Sequence, residues 1–203
     1  MNGRKFLAAG TIAVLSLFGT AAWAQQSGEG AKPTDPQIVG VVSAADQIDI
    51  NTAKLALKKT KNDQVKQFAQ QMIDDHTKLQ KSVDDLAKKL KVKPEPSATS
   101  KSLHTAAAAE MKKLRGLSGK AFDKEYIDHE VAYHQQVIDA ASKVLIPNAQ
   151  NAELKSALEG AAPLLQGHLD HAKQIQSSMG SSAAAGTHKH VFPEILKSFL
   201  QIF

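Results

Sequence analysis

The chain has 203 residues, with 25 Lys and Arg against 20 Asp and Glu, a formal charge of +5, and no cysteine. Without thiols there is neither a disulfide framework nor a thiolate metal site, so any stable domain must be held by packing. The charge excess is small and the lysines are spread along the chain rather than gathered beside aromatics, which argues against nucleic acid as a partner.

The first residues carry Arg4 and Lys5, then an apolar run from Phe6 to Trp23 ending in Ala22-Trp23-Ala24. This is the pattern of a secretory signal peptide over residues 1–24, with the mature chain beginning near Gln25. Gly10, Thr11, Ser16, Gly19 and Thr20 interrupt the run and favour cleavage over a retained anchor. The expectation is therefore an exported protein of the periplasm or cell envelope. Loss of two lysine and arginine charges and no acid leaves 179 of the 203 residues with a formal charge of +3, enough chain for one domain with a real core.

Residues 25–36 are polar with Gly and Pro and read as a flexible leader. From Gln37 the chain turns periodic. Ile38, Val41, Val42, Ala45, Ile48, Thr52 and Ala56 recur at helical spacing as far as Lys59, with Asp49 on the same face. Asn62 or Asp63 then caps a second long helix reaching about Lys91, whose face is Phe68, Ala69, Met72, Leu79, Val83, Leu86 and Leu90. The two prolines of "KVKPEPSATS" end it. An alanine-rich helix is expected over 101–115. The "GLSGK" after it lacks the first Gly and the final Ser or Thr of a phosphate-binding loop and is not one.

A third long helix is expected from about Lys120 to Leu145, with "IPNAQN" as the next turn. The fourth runs from about Ala152 to Met179, with a kink at Gly160 and Pro163. The bundle so defined spans 37–180. A linker over 181–190 leads to "VFPEILKSFLQIF", where Phe192, Ile195, Leu196, Phe199, Leu200 and Phe203 form an amphipathic helix over 191–203. That helix suits an end cap for the bundle or a contact with a membrane surface or protein partner. No strand pattern occurs. Long helices joined by short, long and short connections predict an all-α, ferritin-like four-helix bundle with one long crossover.

Each long helix places an ionisable residue within its apolar stripe: Asp49, His76, His134 and His168, with Glu130 one turn before His134. Buried unpaired charges cost several kcal/mol, so such a set must pair internally or hold a metal. Asp49 and His76 lie about 12 and 14 residues from their shared turn, level to within about 3 Å. His134 and His168 lie about 11 and 16 residues from theirs, a misfit of about one turn. His171 falls on the flank of its stripe. His104 and His129 are expected to face water, and Asp74 and Asp75 to be solvated or to support His76. His188 and His190 lie in the linker.

"FAQQMIDDHTK", "GKAFDKEYIDHEVAYHQQVID" and "LLQGHLDHAKQI" together resemble an exported bacterial family described as a domain of unknown function with a ferritin-like helical bundle, whose members are often called membrane or outer-membrane proteins. The resemblance covers about Ile38 to Ser178. It implies the fold, and it carries the family pattern onto His76, His134 and His168, with Asp49 as the first-helix acid. The chain departs from ferritin-like di-iron proteins in lacking Glu-x-x-His at these helices, which favours a mononuclear, histidine-rich site.

Two functional readings remain. One is a bundle holding a transition metal (iron, zinc, copper or manganese) through Asp49, His76, Glu130, His134 and His168, for storage, buffering or stress protection. The other is a non-catalytic structural or interaction bundle whose polar core is satisfied by hydrogen bonds, with Asp49 accepting from His76 and with Glu130 and His134 paired to His168. No catalytic residue or organic cofactor site is indicated: there is no Gly-x-Ser-x-Gly elbow and no Ser set beside a His.

Overall fold

The computed structural model describes residues 32–181; the signal segment, most of the leader, the linker beyond Ser181 and the 191–203 segment lie outside these residues. All regular structure among the described residues is helical: α1 Asp35–Lys59, α2 Asp63–Leu90, α3 Ala98–Gly116, α4 Gly119–Ala140, α5 Ile146–Asn148 and α6 Ala152–Ser181. A π-helical stretch, Ala141–Leu145, joins α4 to α5 without a break. No helix among the described residues is long and apolar enough to cross a membrane.

Local chemistry sets the boundaries. Thr34 and Gln37 form a capping box, so α1 begins at Asp35, two residues before the apolar periodicity does. Asn62 caps α2 by accepting from the backbone N–H groups of Gln64 and Val65. A second capping box, Ser97 with Ser100, starts α3 at Ala98 rather than at Lys101. Asn151 caps α6 by accepting from Glu153 N and Leu154 N at 2.9 and 3.1 Å. The expected turn at "IPNAQN" is thereby shortened to its last three residues. Helix α6 continues through Gly160 and Pro163.

α1 rises, α2 descends, α3 carries the chain back up, α4 descends and α6 rises. Both ends of α1 are tied across this topology. At the upper end Lys59 Nζ donates to the carbonyls of Leu114 and Arg115, at 3.1 and 2.6 Å, placing a cation on the C-terminus of α3. At the lower end the Asp35 carboxylate accepts from Gln150 N and Asn151 N, at 2.8 and 2.9 Å. The four long helices form the ferritin-like bundle, and α3 is the crossover, packed against α1 and α4. α1 buries Val39, Ile50 and Ala53 as well as most of the expected stripe: they lie on the side of the helix that carries Asp46, which α2 covers, whereas α3 packs against the side of Ile48, Thr52 and Leu55.

The segment leading into α3 lies close on α1. Glu95 N donates to the Pro36 carbonyl at 2.9 Å, and a Cβ on Gly40 would collide with the Glu95 carbonyl oxygen. Glycine at position 40 is what permits that approach.

Two apolar clusters fill the bundle. The upper holds Phe68, Met72, Leu114, Phe122, Tyr126 and Ile127. The lower holds Ile38, Val41, Leu103, Leu145, Leu154 and Leu158. Between them lies a layer of polar side chains.

Candidate metal centre

The polar layer takes two residues from each of α1 and α4 and one from each of α2 and α6. α1 supplies Asp46 and Asp49, α2 His76, α4 Glu130 and His134, and α6 His168; the least buried of these, Asp46, is 4 % exposed. The depth expected of Asp49 and His76 holds, since His76 Nε2 stands 3.2 Å from Asp49 Oδ2. The one-turn misfit of His134 and His168 disappears. The helical path of α4 runs on through the π stretch and α5 to Asn148, 14 residues beyond His134, against 16 from Ala152 to His168. At about 1.5 Å per residue the difference is about 3 Å. The His134 and His168 rings meet edge to face at 5.3 Å, and the His76 ring lies 5.3 Å from His168 and 5.7 Å from His134.

Each imidazole is held from outside the cluster. His76 Nδ1 donates to Asp46 Oδ1 at 2.9 Å, His134 Nδ1 to the Glu130 carbonyl at 3.0 Å, and His168 Nε2 to Asp75 Oδ2 at 3.1 Å. These bonds fix the tautomers of His134 and His168, leaving His134 Nε2 and His168 Nδ1 as bare lone pairs turned inward. Neither of these, nor His76 Nε2, has a hydrogen-bond partner, and the same is true of Asp49 Oδ1 and Glu130 Oε2. The ligand atoms of His76, His134 and His168 lie within 4.8 Å of one another, as do those of Asp49, Glu130 and His134. His134 belongs to both groups.

Burial and charge divide the protons unequally. Burial tends to raise Asp49, but the neighbouring His76 and His134 outweigh it and hold its carboxyl below the usual range. Glu130, buried and facing Asp49, is pushed well above it. Burial would lower His76, yet Asp49 and Asp46 raise it. Burial lowers His134, against the pull of Asp49, and pushes His168 down to about 4 despite its bond to Asp75. The surroundings of the metal-free layer thus favour the proton on His76 and on Glu130 and disfavour it on His134 and His168, whose inner lone pairs are the ones suited to act as ligands.

The residues present fit a transition-metal ion. Three imidazole nitrogens converge, Asp49 Oδ2 lies 3.2 and 3.7 Å from the inner nitrogens of His76 and His134, and each ring is oriented by a second hydrogen bond, which is the arrangement metal-ligating histidines adopt. The donors are hard or borderline, with no thiolate, and come from all four long helices.

The sequence had brought Asp49, His76, Glu130, His134 and His168 together, and the structure does so too. Three other assignments change. His129 does not face water: it is buried, stacks on Tyr133 at 5.4 Å, and is pushed down to about 4 because burial disfavours its charged form. The helix face expected to be solvated is covered there. Asp75 supports His168 rather than His76, and His168 pairs with it rather than with Glu130 and His134. Asp46 was missed, although it lies one turn before Asp49 at the same i, i+3 spacing; it sat outside the apolar stripe and so looked like surface. His104 is exposed as expected, and His171, bonded to Gln71 at 3.0 Å, stands outside the layer.

Comparison with known proteins agrees with this architecture. The family model described as Domain of unknown function (DUF4142) matches residues 20–175. The chain is a DUF4142 protein. Curated proteins give no match. Among solved structures, this DUF4142 chain is similar to "CopM in the Cu(II)-bound form", with 19% identity and a TM-score of 0.56 over 71% of this chain and 98% of that one. It is also similar to the structure titled "Crystal structure of putative secreted protein DUF305 from Streptomyces coelicolor", with 15% identity and a TM-score of 0.61 over 75% and 96%. At these identities the likeness establishes a shared helical-bundle fold.

Proposed function

We propose that this DUF4142 protein binds a single transition-metal ion through His76, His134, His168 and Asp49, with Glu130 beside them, and serves as a metal-storing or metal-buffering protein of the cell envelope. The observation that carries the reading is the convergence of bare nitrogens. In His134 and His168 the outer nitrogen is committed to an oxygen while the inner one faces its counterparts without a partner; His76 Nε2, 3.2 Å from Asp49 Oδ2, joins them once His76 gives up its proton. A polar core evolved only for register would close these bonds on itself, since each buried unsatisfied polar atom costs about 1–3 kcal/mol. A metal uses all of them at once. Binding would discharge the proton held by His76, and Glu130 would stay protonated or give up its proton according to the charge of the ion. The Cu(II)-bound state of a protein with the same fold supports testing copper first, with zinc, iron and manganese beside it. Export rests on the Arg4 to Ala24 segment.

The test is elemental analysis and metal titration of the untagged protein purified from its native compartment, beside the His76→Ala/His134→Ala double variant. Near-stoichiometric metal in the wild type and none in a still-helical variant is the expected result. Absence of tight binding of every metal to the wild type overturns the reading and leaves the hydrogen-bonded polar core in its place.

A further inference from the structure

Directly below the polar layer, the lower core contains a cavity of about 110 Å³. Its walls are almost wholly aliphatic, with Val41, Leu103, Val137, Leu145, Leu154 and Leu158 among them, while Asp46, Asp49, His76 and His134 form its ceiling. Ser82, Leu86 and Ala157 line both this cavity and a surface hollow between α2 and α6, and Ala157 is exposed, so the seam between those helices is its mouth.

The ceiling is not used up by the metal centre. Asp46 spends Oδ1 on His76, but its Oδ2 is buried without a partner. That oxygen would stay free if an ion took the inner nitrogens, because Asp46 acts on the far side of the His76 ring. The walls, by contrast, offer nothing to water. An apolar cavity of roughly 150 Å³ stays dry and accepts benzene, so this one has room for roughly four to five heavy atoms. A molecule that filled the aliphatic part would reduce the voids there, and a donor at one end would satisfy Asp46 Oδ2.

We propose that the cavity is a binding site for a short aliphatic molecule with one hydrogen-bond-donating head, a hydroxyl or an ammonium group, which donates to Asp46 Oδ2 while the chain lies among the aliphatic side chains below. The inference goes beyond metal binding and does not require it. The polar end gives orientation and the apolar walls give affinity, the usual division of labour in small-molecule pockets.

The test uses 1-butanol, n-butylamine and n-butane as probes, followed by methyl NMR of Leu and Val in the metal-free protein under chelator. Saturable shifts of the cavity-lining methyls are expected, with 1-butanol or n-butylamine binding at least tenfold more tightly than n-butane. Asp46→Leu should erase that preference, and filling the space with Ala161→Leu, or narrowing the mouth with Ala157→Leu, should weaken binding at least tenfold. No saturable binding to the wild type overturns the proposal. So does equal affinity for the alkane and both headed probes, or unchanged binding in both filled variants. Working under chelator separates this result from the metal reading: a protein that binds metal but no probe loses only the cavity site, and the reverse outcome loses only the metal.

Discussion

The two halves of the bundle bury apolar surface in different ways. Above the polar layer, Phe68, Phe122 and Tyr126 have no exposure, and Tyr126 meets the other two rings at centroid distances of 6.2 and 6.3 Å, one edge to face and one stacked. Below it, the core is aliphatic apart from Tyr133, Leu158 and Ala141 are each 9 % exposed, and the cavity lies among them. Large flat rings fill space that branched aliphatic chains leave open. The metal-ligand candidates sit at the boundary between a closed end and an open one. A site there gains rigidity from above and access from below, which a ligand layer in the middle of a uniformly packed bundle would lack.

Core truncations test this contrast most strongly. Phe122→Ala should cost about 3–5 kcal/mol, whereas Leu158→Ala, beside space that already exists, should fall near the low end of the usual range, about 2 kcal/mol. Urea denaturation of both variants under chelator measures the gap, and equal losses would mean that the halves are packed alike. Next comes the layer itself. Asp46→Asn should weaken metal binding about 10- to 100-fold, since it loosens the outer hold on His76 while leaving the ligands in place; competition titration against a chelator of known affinity reads this. At the lower end, Gly40→Ala forces α1 away from the Glu95 carbonyl and should destabilise the fold by about 1–3 kcal/mol by chemical denaturation.

The polar layer and its neighbour His129 should also respond to pH. His168 and His129 titrate near 4 in the folded chain, against 6.5 ordinarily, so between those values the unfolded chain takes up protons that the folded one refuses. Their contribution is complete above about pH 6.5 and is lost as the pH falls to about 4. His76, raised by its two acids, works in the opposite sense, its contribution present below 6.5 and lost as pH climbs through its folded value. The urea midpoint of the metal-free protein should therefore drop on going from pH 7 to 4.5, and His129→Gln should drop less. The smallest effect belongs to α6. A Cβ at Gly160 meets nothing within 4 Å, so Gly160→Ala should raise stability by about 0.5–1 kcal/mol, detectable as a small upward shift in melting temperature.

Much of this could be read from the chain, because helical periodicity is a local property. The spacing of Ile38 to Ala56 and of Phe68 to Leu90 defined two helices, the prolines at 94 and 96 separated the pairs, and the short turns fixed which helices run antiparallel. Ionisable residues standing in apolar stripes identified Asp49, His76, Glu130, His134 and His168, since burial of such groups demands a partner. Boundaries were less legible where side chains set them: the capping boxes of Thr34 and Ser97 lengthened two helices, and Ile146–Asn148 stayed helical although the chain there looked like a turn.

The sequence by itself determined that there are long amphipathic helices and that each carries a polar residue on its inner face. Only the tertiary structure decided what those residues meet. Packing of α3 on α1 and α4 buried His129, which a single-stripe reading leaves in water. The continued path of α4 brought His134 level with His168, and the approach of α1 to α2 turned Asp46 from a surface acid into the partner of His76. The cavity likewise depends on four helices at once. Periodicity states which side of a helix is inward, but the identity of the group across the gap depends on depth, crossing and rotation between segments distant in the chain, which no local pattern records.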